Sequence, residues 1–506
     1  RHRGFFRTHV AEAADVVVCD EAHRVKREKA RLATALAAVG TARRVGLTGT
    51  PVQNNLGEFY AMLSWARPLL LDERRAFDAR FAEPIAAGLF DDSSKRDVTR
   101  SKRRMAVLHT LLEPVVHRRG AALLASALPP KHEVVVYCRL TDVQRRLYGE
   151  RLAIWERGGD DKSGGVFALC EHLRQVFNHP HVAALARRHN EERVLPAKLE
   201  KRVMASFICD DDEESDAGSG ADEVADLRGP PAAPRAPREA ADVLCAASRA
   251  WHDRLGGDLA PVVGDARPEA GAKALITRDI LVKARARGEK VLVFSQSLRS
   301  LDYLQISVVS GDLGWPARLA RRLDGDTTVT ARQALIEDFS SSDAVVFFLS
   351  VRAAGVGINL HAATRVILFD VSWNPADDAQ AIARAHRFGQ ERPVFVYRLV
   401  AAGTVEERVF NRQIAKGAVA SGVADDEVLQ RFFRRDELAD LIPLVEEEED
   451  DGTRDKPLAR TLDRLFLEVA AERAASIARV RPFDTFTATD DDRIDDADVA
   501  AALDSL

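Results

Sequence analysis

What this 506-residue sequence lacks already narrows its class. Its five cysteines (Cys19, Cys138, Cys170, Cys209 and Cys245) include no Cys-x-x-Cys pair, which excludes a disulfide framework and a zinc ribbon. No run approaches the roughly eighteen apolar residues of a membrane span, and no apolar signal core opens the chain. No membrane partner is therefore expected, and an intracellular setting is. No internal repeat is visible. Gly-Lys-Ser and Gly-Lys-Thr occur nowhere, so a phosphate loop of that kind is absent from these residues.

What is present is a globular composition, 46% hydrophobic and 30% charged, in a chain long enough for two or three domains. The net charge of −5 would argue against a polyanionic partner if it were evenly spread. Residues 1–130, however, hold 22 Lys and Arg against 14 Asp and Glu, while acids gather in "CDDDEESDAGSGADE" and "EEEEDDG". A polyanion meets the local sign, not the total. The basic stretch "KRDVTRSKRR" (95–104) reads equally well as a solvated helix face or as part of a nucleic-acid surface.

Several short apolar runs end in Gly, Ser, Thr or Asp: "DVVVCD" (15–20), "RVGLTGTP" (44–51), "KVLVFSQS" (290–297), "AVVFFLS" (344–350), "RVILFD" (365–370) and "VFVYRLV" (394–400). The first reads as a fully buried strand. Helical periods such as "SLDYLQISVV" and "ARQALIEDF" separate the later ones, and this alternation predicts an α/β fold with parallel sheets covered on both faces. In such sheets chemistry sits beyond the carboxyl ends of the strands. Residues 209–242, acidic and then rich in Pro and Ala, read as a disordered insertion. Amphipathic helices are expected in "DDEVLQRFFRRDELADLI" and "LARTLDRLFLEVAAERAASIARV".

The polar motifs fall at those strand ends. Asp20-Glu21-Ala22-His23 supplies paired carboxylates, as nucleotide hydrolysis needs: one to hold Mg²⁺ through water, one to orient or deprotonate the attacking water. Thr48-Gly49-Thr50-Pro51 ends a second strand with small hydroxyl residues suited to sensing a phosphate. "SVRAAGVGINL" places Gly355 and Gly357 after a strand ending at Ser350, with Asn359 as a hydrogen-bonding group. "QAIARAHRFGQ" (380–390) puts Arg384 and Arg387 three apart, on one helical face if that stretch is helical. They could meet charge on a transferred phosphoryl group, or could pair with Asp377 or Asp378. His179 and His181, with Cys170 nearby, match no zinc spacing and read as packing or capping groups.

Taken together, "DEAH", "LTGTPVQNN", "VLVFSQS", "GVGINL", "DVSWNPADDAQAIARAHRFGQ" and "VYRLVAAGTVEERV" resemble the ordered motifs of the SWI/SNF-like ATPases, double-stranded-DNA translocases of helicase superfamily two. "HRRGAALLASALPPKHE", "FNHP" and "RRDELADL" are most similar to the ATRX branch. The resemblance implies two RecA-like lobes: a partial first lobe over 1–130 with a helical protrusion at about 55–115, a helical linker over 131–208, the insertion at 209–242, a second lobe over 243–415 and a helical, acidic extension over 416–506.

It implies ATP and Mg²⁺ as cofactors, with duplex DNA and nucleosomes or chromatin proteins as partners in the nucleus. By matching positions, Asp20 and Glu21 would be the catalytic acids, with Asp20 holding Mg²⁺ through water. Arg384 and Arg387 would be the arginine fingers, and Gln380, Gly355 and Asn359 would lie beside the nucleotide. Thr48, Thr50, Ser295, Ser350, Gly357, Trp373 and Asn374 would contact DNA or couple it to the cleft. Ala383 departs from the Gly or Asp that many relatives carry before the first finger.

The family's phosphate loop lies well upstream of its DEAH motif. The expectation is therefore a fragment or incomplete gene product, with a raw sheet edge and no hydrolysis of its own. The alternatives are a non-catalytic lobe pair that binds DNA or a partner, and a strand-separating helicase of the DEAH type.

Overall fold

A computed structural model describes residues 14–25, 31–49, 56–88, 93–117, 119, 128–157, 166–192, 250–354, 357–411, 413–414, 442–444 and 463–483. They form an α/β architecture around two sheets. The insertion at 209–242 and the helix expected in "DDEVLQRFFRRDELADLI" lie outside these residues, as do Thr50 and Gly355. Among the described residues no helix is long and apolar enough to cross a membrane.

The first sheet has two parallel strands, β1 (Val17–Asp20) and β2 (Arg44–Leu47), connected through α1 (Arg31–Ala37). Val18 lies beside Val45 and Asp20 beside Leu47. Side chains alternate across a strand, so Val17 and Cys19 pack with Val25, Ala33 and Trp65. The opposite face leaves Val16, Val18, Val45 and Leu47 exposed, Val18 by 58%. The run at 15–20 is thus half buried and not fully buried, because the described residues cover only one side of this sheet. On the covered side α2 (Leu56–Ala66) and α3 (Lys95–Leu112) enclose a core of Phe59, Tyr60, Phe77, Phe81, Ile85 and Leu108. The basic stretch at 95–104 is the first half of α3, and its start is capped by Ser94, whose hydroxyl accepts from Asp97 N at 3.1 Å.

The second sheet has seven strands in the order β5-β6-β4-β7-β8-β3-β9. These are β3 (Lys131–Cys138), β4 (Val291–Ser295), β5 (Ala320–Leu323), β6 (Val346–Ser350), β7 (Arg365–Leu368), β8 (Val394–Ala401) and β9 (Ile477–Pro482). All pairings are parallel except that of β9, which lies antiparallel on β3. The helices around this sheet are α4 (Asp142–Arg157), α5 (Val166–Asn178), α6 (Pro180–Glu192), α7 (Ala272–Ala286), α8 (Leu298–Tyr303), α9 (Val329–Ser341), α10 (Pro375–Ile382) and α11 (Arg464–Glu472). Strands β4, β6 and β7 are buried at every residue, as a parallel sheet with helices on both faces requires.

Two boundaries differ from those read along the chain. Residues 131–138, expected to begin a helical linker, are a central strand of the second sheet, paired with β8 from Lys131 beside Val394 to Cys138 beside Ala401. Residues 477–482, expected to continue an amphipathic helix, form β9. Strand pairing with the free edge of β3 outweighs local helical propensity there. The second lobe therefore gathers three separated stretches of chain. The last of them is anchored by Asp463, which caps α11 through Phe466 N at 3.1 Å, accepts from Tyr397 Oη at 2.9 Å and pairs with Arg365 at 2.7 Å.

Candidate active site

The acidic half of the site is built by the turn after β1. Glu21 adopts φ 52° and ψ 49°, the left-handed region that a residue with a Cβ seldom enters. The turn is held by Asp20, whose Oδ1 accepts from Glu21 N at 2.9 Å. Because Asp20 lies beside Leu47, the residues just beyond each strand, Glu21 and Thr48, are brought together. His23 bridges them: its Nδ1 is 3.0 Å from Thr48 Oγ1 and 3.3 Å from Glu21 Oε2. His23 was not among the site residues expected from the sequence, although it stands in the same tetrapeptide. Only the parallel register of β1 and β2 reveals its role as the link to Thr48.

The basic half comes from the second lobe. Helix α10 is opened by Asn374, whose Oδ1 accepts from Ala376 N at 3.1 Å, and ends at Ile382. Arg384 and Arg387 therefore do not share a helical face; they lie in the turns that follow, a correction to the helix expected through 390. The helix stops because the chain closes tightly there, with Arg384 N donating to Ala381 O and Arg384 O accepting from Leu360 N at 2.9 Å. Gln390 braces this turn through Nε2, which donates to the carbonyls of His361 and Ala363, both at 2.9 Å, and of Ala385 at 3.2 Å.

The two arginines nevertheless converge. Arg384 is buried, and its pKa is lowered first by that burial and then by Arg387, while Glu21 opposes the shift. Arg387 Nη1 donates to Ile358 O at 3.1 Å. Of the two neighbouring acids offered as alternative partners, Asp378 is engaged by Arg398 at 3.1 Å, and its pKa is pushed up to about 6 by burial. The Glu21 carboxylate, from the other lobe, is thus near enough for its charge to act on Arg384.

Other expected site residues are distributed around this cleft or beneath it. Gln380 is half-buried on α10, Asn359 is exposed with its Oδ1 3.1 Å from His361 Nδ1, and Gly357 is exposed, with open space where a Cβ would sit. Ser350 is buried and its Oγ accepts from Ala353 N at 3.3 Å. Trp373 is half-buried, edge-on to Phe167 with ring centroids 6.4 Å apart.

Ser295 is fully buried, and its hydroxyl donates to Asp370 Oδ2 at 2.7 Å, so it does not present itself to an external backbone. Asp370 also accepts from Asn178 Nδ2 at 2.8 Å and from Gln296 N at 2.7 Å. Lys273 Nζ donates to Asn178 Oδ1 at 3.2 Å, to Phe369 O at 3.0 Å and to Glu406 Oε1 at 2.7 Å. This network ties "FNHP", the end of β4, the residues just beyond β7 and Glu406 together. Gly271 permits it: a Cβ there would stand 2.6 Å from the His179 ring. His179 stacks on Tyr303 with centroids 4.1 Å apart and accepts from His181 N at 3.1 Å through Nδ1, so both histidines cap and pack.

Comparison with known proteins identifies two domains in the chain. Residues 6–182 match the SNF2-related domain and residues 272–389 the helicase conserved C-terminal domain, together more than half of the chain. The chain is 35% identical to the Drosophila melanogaster "Transcriptional regulator ATRX homolog", over 93% of this chain and 40% of that protein. It is 33% identical to human "Helicase ARIP4" (86% and 31%) and 32% identical to human "Transcriptional regulator ATRX" (88% and 21%). It therefore spans less than half the length of each of these relatives. Among solved structures, the Sulfolobus solfataricus SWI2/SNF2 ATPase core in complex with dsDNA aligns over 84% of this chain and 73% of that one, at 22% identity and a TM-score of 0.35. With an SNF2-related domain followed by a helicase conserved C-terminal domain, the chain belongs to the SNF2-related family of helicase-like ATPase cores.

Proposed function

We propose that this chain carries the acid and arginine halves of an ATP-driven translocase that moves on duplex DNA and remodels chromatin or other protein–DNA complexes. The approach of Arg384 to Glu21 across the cleft is the observation that carries this reading. Nucleotide hydrolysis between two lobes needs a water-orienting carboxylate on one side and positive charge for the transferred phosphoryl group on the other.

In this reading Glu21 orients and deprotonates the attacking water, while Arg384 and Arg387 meet the charge that develops on the γ-phosphoryl oxygens. Gln380, Gly355 and Asn359 flank the nucleotide. Among the described residues no three His, Cys, Asp or Glu side chains gather to cage a metal, but the exposed Asp20 carboxylate suits Mg²⁺, which keeps most of its waters. Bound there through water, it would neutralise phosphate oxygens. Thr48, Thr50, Ser350, Gly357, Trp373 and Asn374 face or support the duplex, and Ser295 acts from within, through Asp370. Closure of the lobes on ATP and opening after hydrolysis would advance the grip along phosphates, giving sequence-independent binding that weakens steeply with salt. The transcriptional regulators among its relatives support a nuclear setting.

A second reading has its own observation: no Gly-Lys-Ser or Gly-Lys-Thr occurs in the 506 residues, so by themselves they would bind duplex or a partner without turnover. ATP hydrolysis separates the two. It is measured with duplex DNA, single-stranded DNA and RNA, on this chain and on one extended by a lobe segment bearing the phosphate loop. The translocase reading expects duplex-stimulated turnover in the extended chain; no stimulation there would leave the binding role.

A further inference from the structure

The buried cations of the second lobe follow a rule, with one exception. Lys273 has Glu406 at 2.6 Å, Arg174 has Glu171 at 3.2 Å, Arg365 has Asp463 at 2.7 Å, and Arg398 has Glu133 at 2.5 Å. Arg384 faces the cleft. Arg151, on α4, is only 1% exposed and has no carboxylate partner among the described residues. Its Nε donates to His172 Nδ1 at 3.1 Å, and its Nη1 is buried with no acceptor. Burial alone brings its pKa down to about 10.

The acids nearest in the chain are already committed: Glu150 to Arg254 at 2.5 Å and Glu171 to Arg174. A second donor is stranded beside the same histidine. Trp251, fully buried, has its ring centroid 6.5 Å from that of His172, and its Nε1 also lacks an acceptor. His252 stands edge-on to His172 at 5.5 Å. His172 must be neutral at Nδ1 to accept from Arg151, and burial, Arg151 and His252 all hold its pKa well below the ordinary value.

Near His172, therefore, a guanidinium nitrogen and an indole N–H from different helical segments are both buried, and no described side chain accepts from them. A buried cation without a counter-charge is strongly unfavourable, and donors of this kind are met by an acceptor in nearly every native structure. We propose that Arg151 and Trp251 form an internal anion site, beside His172, that takes a small inorganic anion and pins the helical segment beginning at Ala250 to α4 and α5. The planar guanidinium, with Nη1 free, favours an oxyanion such as phosphate; a halide such as chloride satisfies the same donors.

The site is tested on the whole 506-residue chain by thermal unfolding at fixed ionic strength in sodium gluconate, with gluconate replaced stepwise by phosphate in one series and chloride in another. A saturable rise in Tm of about 2–4 °C is expected in at least one series. Arg151→Met, which keeps length and removes charge, should lose the rise, and in gluconate alone it should melt no lower than the wild type. Trp251→Phe should show a weaker rise, and it supplies the same comparison if the methionine variant does not fold. Arg384→Gln should keep the rise, which separates this site from phosphate binding in the cleft. The proposal is overturned if the rise never saturates, or if it persists undiminished in both Arg151→Met and Trp251→Phe. Either result would mean that only a water molecule or a general salt effect answers these donors.

Discussion

Arg384 and Glu21 stand more than three hundred and sixty positions apart in the chain, yet the carboxylate lies near enough to oppose the lowering that burial and Arg387 impose on the Arg384 guanidinium. Neither group could perform phosphoryl chemistry from its own lobe alone. Their approach is the structural basis of the proposed ATP site, and it makes the first prediction direct.

In a chain that includes a phosphate loop, Glu21→Gln is expected to lower duplex-stimulated ATP turnover by about 10²–10⁴-fold while leaving nucleotide binding intact. Arg384→Gln should cost about 10³–10⁵-fold in kcat. Steady-state turnover together with fluorescent-nucleotide binding checks both. Turnover within twofold of the wild type for either variant would remove that residue from the reaction.

His23 joins the acid turn to Thr48, its Nδ1 standing 3.0 Å from Thr48 Oγ1 and 3.3 Å from Glu21 Oε2. His23→Ala should reduce the ratio of duplex-stimulated to basal turnover by about tenfold, the effect of losing about 1.4 kcal/mol of coupling. Thr48→Val should reproduce it. The double variant should be no worse than either single one, because both break the same link.

Lys273 and Glu406 are both buried and pair at 2.6 Å, and each closes hydrogen bonds that hold the segment after β7. Lys273→Met leaves Glu406 without its cation and is expected to destabilise the second lobe by about 3–5 kcal/mol in urea unfolding. Lys273→Met combined with Glu406→Gln should recover part of that loss. No recovery would assign the cost to packing and not to the stranded charge.

Stability should fall on the acid side of neutrality. Burial holds the His179 pKa at about 3 in the folded chain, against an ordinary value of 6.5. The unfolded chain therefore takes up the proton first, and the stabilisation is complete above about pH 6.5 and is lost progressively as pH falls toward 3. Asp378, raised to about 6, acts in the opposite direction: its contribution is present at low pH and is lost as pH rises through 6. Buried His172, also held well below its ordinary value, acts in the same direction as His179, and the two histidines together outweigh Asp378. Urea midpoints between pH 5 and 7 should rise with pH in the wild type and less steeply in His179→Asn; equal slopes would exclude His179 as the cause.

Local patterns carried much of this protein. The unbroken apolar strands β4, β6, β7 and β8 announced themselves by β-branched and aromatic runs, since a strand buried on both faces leaves no room for alternation. The acids at 20–21 and the arginines at 384 and 387 were legible because each follows its own element by a fixed few residues.

Three features were not legible in this way. Residues 131–138 and 477–482 join the second sheet because their backbones meet strand edges that only the folded chain presents. The helix expected to carry both arginines stops at Ile382, because the turn beyond it is closed by a bond from Leu360, a residue far back in the chain. And Ser295, expected either to contact DNA or to couple it to the cleft, is turned inward by Asp370 from just beyond β7. Sequence alone determined which chemical groups exist and which strand or helix delivers each one, for those preferences act over a few residues. Tertiary structure alone decided which groups meet, because burial and hydrogen bonding are settled between segments that distance along the chain does not relate.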